Sequence, residues 1–91
     1  MLALTLPETL DRKSVDELWK NLMSHRGSDV MLDAGGVRRV AATGLELLVS
    51  AARQWATDGK AFDSRDWGDE ARADLAGLGA DGTVFAAGGP A

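Results

Sequence analysis

The chain has 91 residues, is 45% hydrophobic and 26% charged, and carries a net charge of −4 with no cysteine. That balance fits a folded globular chain rather than a disordered one, and its acidity gives no electrostatic drive toward nucleic acid or anionic lipid. Without cysteine there are no disulfides, thiolate nucleophiles or cysteine-based zinc sites. No apolar run approaches the ~18 residues of a membrane span. Met1–Pro7 has no basic region and only a short apolar run, so it does not read as a signal peptide, and the cytoplasm is the expected compartment.

Leu2, Leu4 and Leu6 alternate with Ala3 and Thr5, which predicts a first strand stopped by Pro7. Ser14-Val15-Asp16-Glu17 spells a capping box. Val15, Leu18, Trp19, Leu22 and Met23 then recur at helical spacing before Gly27, predicting a helix over about 14–25. Asp29–Ala34 reads as a second strand, and the unbroken Val30-Met31-Leu32 run predicts that both its faces are covered. After Gly35-Gly36, a second helix is expected from near Thr43 to Asp58-Gly59. Its inner face should carry Leu45, Leu48, Val49, Ala52 and Trp55 or Ala56. Ala61–Ser64 predicts a third strand, 67–78 a third helix striped by Ala71, Leu75 and Leu78, and Thr83–Ala86 a fourth strand. Alternating strands and helices imply right-handed crossovers. The expected fold is α/β: a four-stranded mixed, largely parallel sheet with about three helices mainly on one face. No repeat or linker divides the chain, so one domain is expected, with its core over 2–86 and a flexible tail over 87–91.

Thr43-Gly44-Leu45-Glu46 fits two chemistries. It is a threonine-x-x-glutamate capping box, in which Thr43 closes the helix start. The alternative reading is a phosphate acceptor, because a phosphoryl group on Thr43 would meet free amides and the positive end of the helix dipole, with Arg38 and Arg39 available to pair with it. Other constellations carry less. His25 is the single histidine and sits at a helix end, without the partners a triad or a metal site needs. Asp63, Asp66, Asp69 and Glu70 match no calcium loop and read as helix-start acids on a solvated face. Gly77-Leu78-Gly79-Ala80-Asp81-Gly82 spells a dinucleotide fingerprint in the wrong context, after a helix and before a strand. No acid, base and nucleophile converge, so no catalytic residue, cofactor or metal is expected. Of three tryptophans, Trp19 falls on the core stripe of the first helix, while Trp55 and Trp67 fit either core packing or partner anchoring.

A strand ending Leu32-Asp33-Ala34, a Val37–Val40 loop and a helix opening on a hydroxyl residue with Gly44-Leu45 together resemble the STAS domain, the sulphate transporter and anti-sigma factor antagonist family, over about residues 2–86. In that family the loop reads aspartate-x-serine-glycine and a partner kinase phosphorylates the serine. Here it reads Ala41-Ala42-Thr43-Gly44, with Thr43 at the acceptor position and Ala41 in place of the aspartate. His25-Arg26-Gly27, Leu32-Asp33-Ala34 and Ala51-Ala52-Arg53-Gln54-Trp55 are similar to small single-domain members encoded with bacterial chemotaxis components. The resemblance implies a non-enzymatic regulatory module in bacterial signal transduction that docks on a chemotaxis histidine kinase or related component. Its alternatives are an anti-sigma factor antagonist switched at Thr43 and an accessory subunit of a lipid-transport ATPase. The expected docking surface is the loop and outer face of the second helix: Arg38, Arg39, Ala42, Thr43, Gly44, Glu46, Leu47 and Ser50. Leu47 lies off the predicted core stripe and is expected to face solvent, awaiting an apolar contact. The partner is a protein, whether signalling kinase, anti-sigma factor or ATPase subunit, with no nucleic acid and no membrane insertion. A homo-oligomer is compatible with the sequence.

Overall fold

A computed structural model describes residues 2–79. Its elements run β1 (Leu2–Thr5), β2 (Thr9–Leu10), α1 (Arg12–Met23), β3 (Val30–Asp33), β4 (Arg39–Val40), α2 (Ala42–Asp58), β5 (Phe62–Arg65) and α3 (Asp69–Gly77). Among the described residues there are five strands in two sheets, not the expected single four-stranded sheet. One is three-stranded in the order β1-β3-β5, and the other is the pair β2-β4. Every pairing is parallel. The expected strand at Thr83–Ala86 and the tail at 87–91 lie outside the described residues.

Register explains the layering. Leu2, Val30 and Phe62 align across the three-stranded sheet, as do Leu4, Leu32 and Ser64. Val30, Leu32 and Phe62 are wholly buried. The alternate positions, Ala3, Met31 and Asp63 and then Thr5, Asp33 and Arg65, are exposed or half-buried. Among the described residues the sheet is therefore covered on one face, and the Val30-Met31-Leu32 run does not mark a strand buried on both sides, since Met31 on the other face is only half-buried. Into the same core pack Leu18 and Leu22 of α1, Leu48, Ala51 and Trp55 of α2, and Ala71 and Leu75 of α3. The Trp55 and Phe62 rings meet at 5.3 Å between centroids, and the Trp55 indole N–H donates to the Ser28 carbonyl at 2.8 Å. Trp67 is buried too, and its indole N–H donates to Ser64 Oγ at 2.7 Å. Both are core residues, whereas Trp19 is only half-buried.

Three helix boundaries move for identifiable reasons. α1 starts before Ser14. Asp11 in extended conformation is the N-cap, its carboxylate accepts the N–H groups of Lys13 and Ser14, and Ser14 Oγ accepts the Asp11 N–H. A capping box is present, but Ser14 is its reciprocal partner and not its cap. α2 starts at Ala42 with Ala41 as N-cap and no side-chain cap, so Thr43 is the second helical residue and the Thr43–Glu46 capping box is not formed. α3 starts at Asp69 with Gly68 as N-cap, leaving Trp67 in the loop before it.

The buried stripe of α2 is Gly44, Leu47, Leu48, Ala51, Ala52 and Trp55. It is rotated from the expected one, because Gly44 and Ala51 let the helix approach its neighbours closely where larger side chains would hold it off. A Cβ on Gly44 would lie 2.6 Å from the Leu10 carbonyl oxygen. α2 ends, as the Asp58-Gly59 pair implies, on Gly59 in left-handed conformation with φ 71°.

Candidate functional site

The rim of the molecule is set by the short β2-β4 pair. Thr9 aligns with Arg39 and Leu10 with Val40, so the two chains run side by side into their helices. The Ala41 N–H donates to the Leu10 carbonyl at 2.8 Å, and the Arg38 N–H to the Glu8 carbonyl at 2.7 Å. From the other side, an Asp74 carboxylate oxygen on α3 accepts the Val40 N–H at 2.9 Å. The start of α2 is thus gripped through its backbone from β2 and α3, with no side-chain cap on its own first turn.

Ala42, Thr43, Glu46 and Ser50 are exposed along α2. Thr43, Glu46, Leu47 and Ser50 form one wall of a shallow groove of about 340 Å³, and Val15, Asp16 and Trp19 of α1 form the other. Leu47 is only 5% exposed, so it does not project into solvent as expected. It floors this groove while most of its side chain packs inward. Gly44 is buried against Leu10 and supports the surface without being part of it.

The structure splits the predicted surface in two. Arg39 lies on the opposite flank of the α2 start, in a hollow of about 310 Å³ shared with Thr9, Val40, Ala41, Asp74 and Leu78. Its guanidinium is 3.5 Å from the Asp74 carboxylate, and that of Arg38 is 3.5 Å from Glu8. The two arginines are turned to these carboxylates and not gathered around Thr43. The Arg38–Glu8 pair is largely exposed and the Arg39 end of the other pair is too, so each ion pair contributes little to stability. Val15, Asp16 and Trp19 were not predicted as site residues. Their sequence signal was the width of the α1 stripe: only Leu18 and Leu22 of its five apolar members are fully buried, which leaves Val15 and Trp19 at its margin.

Elsewhere a few charged groups tie elements together. Arg26 donates from Nε and Nη2 to the two Asp58 oxygens at 3.1 and 3.0 Å, and Gln54 adds a bond at 3.2 Å. The Arg26 hydrogen bond holds the Asp58 carboxyl below the ordinary carboxylate range, and Asp58 in turn raises the Arg26 guanidinium. Asp69 and Glu70 occupy the first turn of α3, and Asp63 accepts the Ser64 N–H. Among the described residues, no three His, Cys, Asp or Glu side chains gather to hold a metal, and no helix is long and apolar enough to cross a membrane.

Residues 2–85 match the family described as Mlab, STAS domain. No curated protein matches the chain, and no solved structure does. STAS domains are typically non-enzymatic regulatory modules that act through protein contacts. The match spans every element from β1 to α3 and includes both walls of the groove, and the chain belongs to the STAS domain family.

Proposed function

We propose that this chain is a regulatory docking module whose partner seats on the α1–α2 groove and the adjoining rim of α2. The observation that carries this reading is the groove itself. It places the exposed row Thr43, Glu46 and Ser50 opposite the half-buried Trp19, next to a helix start with no side-chain cap. Hydroxyls, carboxylates and an indole around an apolar floor suit recognition by another protein. The small-member motifs His25-Arg26-Gly27 and Ala51-Ala52-Arg53-Gln54-Trp55 favour a chemotaxis histidine kinase or a related signalling component as that partner.

Two other readings each have an observation behind them. The Mlab description of the matched family favours an accessory STAS subunit of a lipid-transport ATPase. The exposed Thr43 hydroxyl in the first turn of α2 favours a phosphorylation-switched anti-sigma factor antagonist, since added phosphate would place about −1.5 to −2 charge on the docking rim.

Affinity capture from the native cell, with the unaltered chain and with Ser50→Arg, tests the docking reading. A histidine kinase retained by the first and lost by the second supports the proposed role, and an ATPase lost in the same way supports the subunit reading. Capture of the same partner by both proteins overturns the assignment of this surface. Mass spectrometry after incubation with the retained kinase decides the switch: a gain of about 80 Da, one phosphate, on Thr43 supports it.

A further inference from the structure

We propose that the groove takes a helix of the partner whose apolar face is flanked by lysine or arginine. This rests on the docking reading above and adds the chemistry of the occupant. The walls are two helices, whose backbone groups beyond their first turns are satisfied internally, so no strand can add along them by main-chain pairing. Recognition must come from side chains, as when an amphipathic helix is laid into an apolar furrow. The furrow offers Val15, Trp19 and Leu47 as its apolar lining.

Charge selects what flanks that apolar face. Asp16 stands on one wall and Glu46 on the other, and no cation lines the groove. The ion pairs among the described residues join Arg26 to Asp58, Arg38 to Glu8, Arg39 to Asp74 and Arg65 to Asp66, and none reaches Asp16 or Glu46. Lys20, one turn beyond Asp16 on α1, does not line the groove and forms no ion pair with Asp16. Two carboxylates without an ion-pair partner bordering an apolar floor, on a chain of net charge −4, repel acidic or phosphate-bearing ligands and attract a cation on each side of an inserted apolar ridge.

The test uses the ¹⁵N-labelled full chain and two synthetic amphipathic helices of equal length, one of leucine and lysine and the other of leucine and glutamate. The leucine–lysine peptide is expected to shift the amide signals of Asp16, Thr43, Glu46 and Ser50 and the Trp19 indole signal. The leucine–glutamate peptide should leave them in place. Asp16→Lys with Glu46→Lys, both exposed positions, should weaken the first peptide roughly tenfold and admit the second. Should that double variant fold poorly, Glu46→Gln gives the same sign with a smaller loss. Equal binding of both peptides, shifts centred elsewhere, or a preference that survives charge reversal overturns the proposal. Self-association of the chain through these same residues also overturns it, because a second copy is then the occupant. If Ser50→Arg abolishes partner capture while neither peptide binds, the docking reading stands and only the chemistry of the occupant falls.

Discussion

The two helices that border the groove both begin one residue beyond the paired strands β2 and β4, yet they begin in different ways. α1 closes its own start, because Asp11 and Ser14 satisfy each other's backbone N–H groups. α2 has Ala41 at the equivalent place and no side-chain cap. Its start is held from outside, by Leu10 beneath Gly44 and by Asp74 on the Val40 N–H. A self-capped helix start needs nothing further, whereas one fixed only by its neighbours keeps its outward amides and side chains available. The candidate docking residues stand beside the second kind.

That contrast can be broken at several points. Leu47→Asp should have the largest effect, because it puts a carboxylate where a buried leucine packs. A loss of about 3–5 kcal/mol in urea unfolding is expected, with partner binding lost through unfolding and not through surface chemistry. An unchanged melting temperature would contradict the inward packing of α2. Gly44→Ala should cost about 1–3 kcal/mol, since its Cβ would meet backbone atoms of Leu10 that cannot step aside. If it melts like the parent chain, the close approach of β2 and α2 is not what fixes the rim.

Exchanging the caps sharpens the comparison directly. Asp11→Ala should lower stability by about 1 kcal/mol. Ala41→Asp should raise it by about 0.5–1 kcal/mol, because Ala41 already has the extended conformation of a cap and lacks only the acceptor. Chemical denaturation of the two variants reads both signs, and a loss from Ala41→Asp would mean that the α2 start is not open. The smallest effect is expected from Arg26→Ala, far from the rim. Asp58 is held below its ordinary range by Arg26, so their pairing stabilises the fold above that range. The contribution fades as pH falls through the depressed value. The melting difference between parent and variant should therefore be present near neutrality, shrink in acid and weaken with added salt.

Much of this was legible in the chain. Alternating leucines marked β1, an unbroken apolar run marked β3, and Asp58-Gly59 marked the end of α2. What escaped did so for physical reasons. Two residues carry no period, so Thr9–Leu10 and Arg39–Val40 gave no strand signal, although their pairing organises the rim. Leu47 was expected outside because the large apolar side chains of α2 define one stripe, while Gly44 and Ala51, which carry little or no side chain, set the true one. Ser14-x-x-Glu17 concealed Asp11, since it alone spells the usual pattern, whereas the box that forms pairs Asp11 with Ser14 and departs from it. The site was half legible: Thr43, Glu46 and Ser50 follow from helical spacing on α2, but their companions on α1 depend on how the two helices pack.

The β2-β4 pair carries one further implication. Main-chain hydrogen bonding between neighbouring strands sets where the two helices start, and exposed side chains take no part in it. The origin of the furrow is therefore set by backbone pairing and by the small residues beneath α2, while the exposed Asp16, Glu46 and Ser50 on its rim can be exchanged with little effect on the scaffold. One architecture of this kind can be re-addressed to a new partner by exchanging a few outward residues, provided position 44 remains glycine.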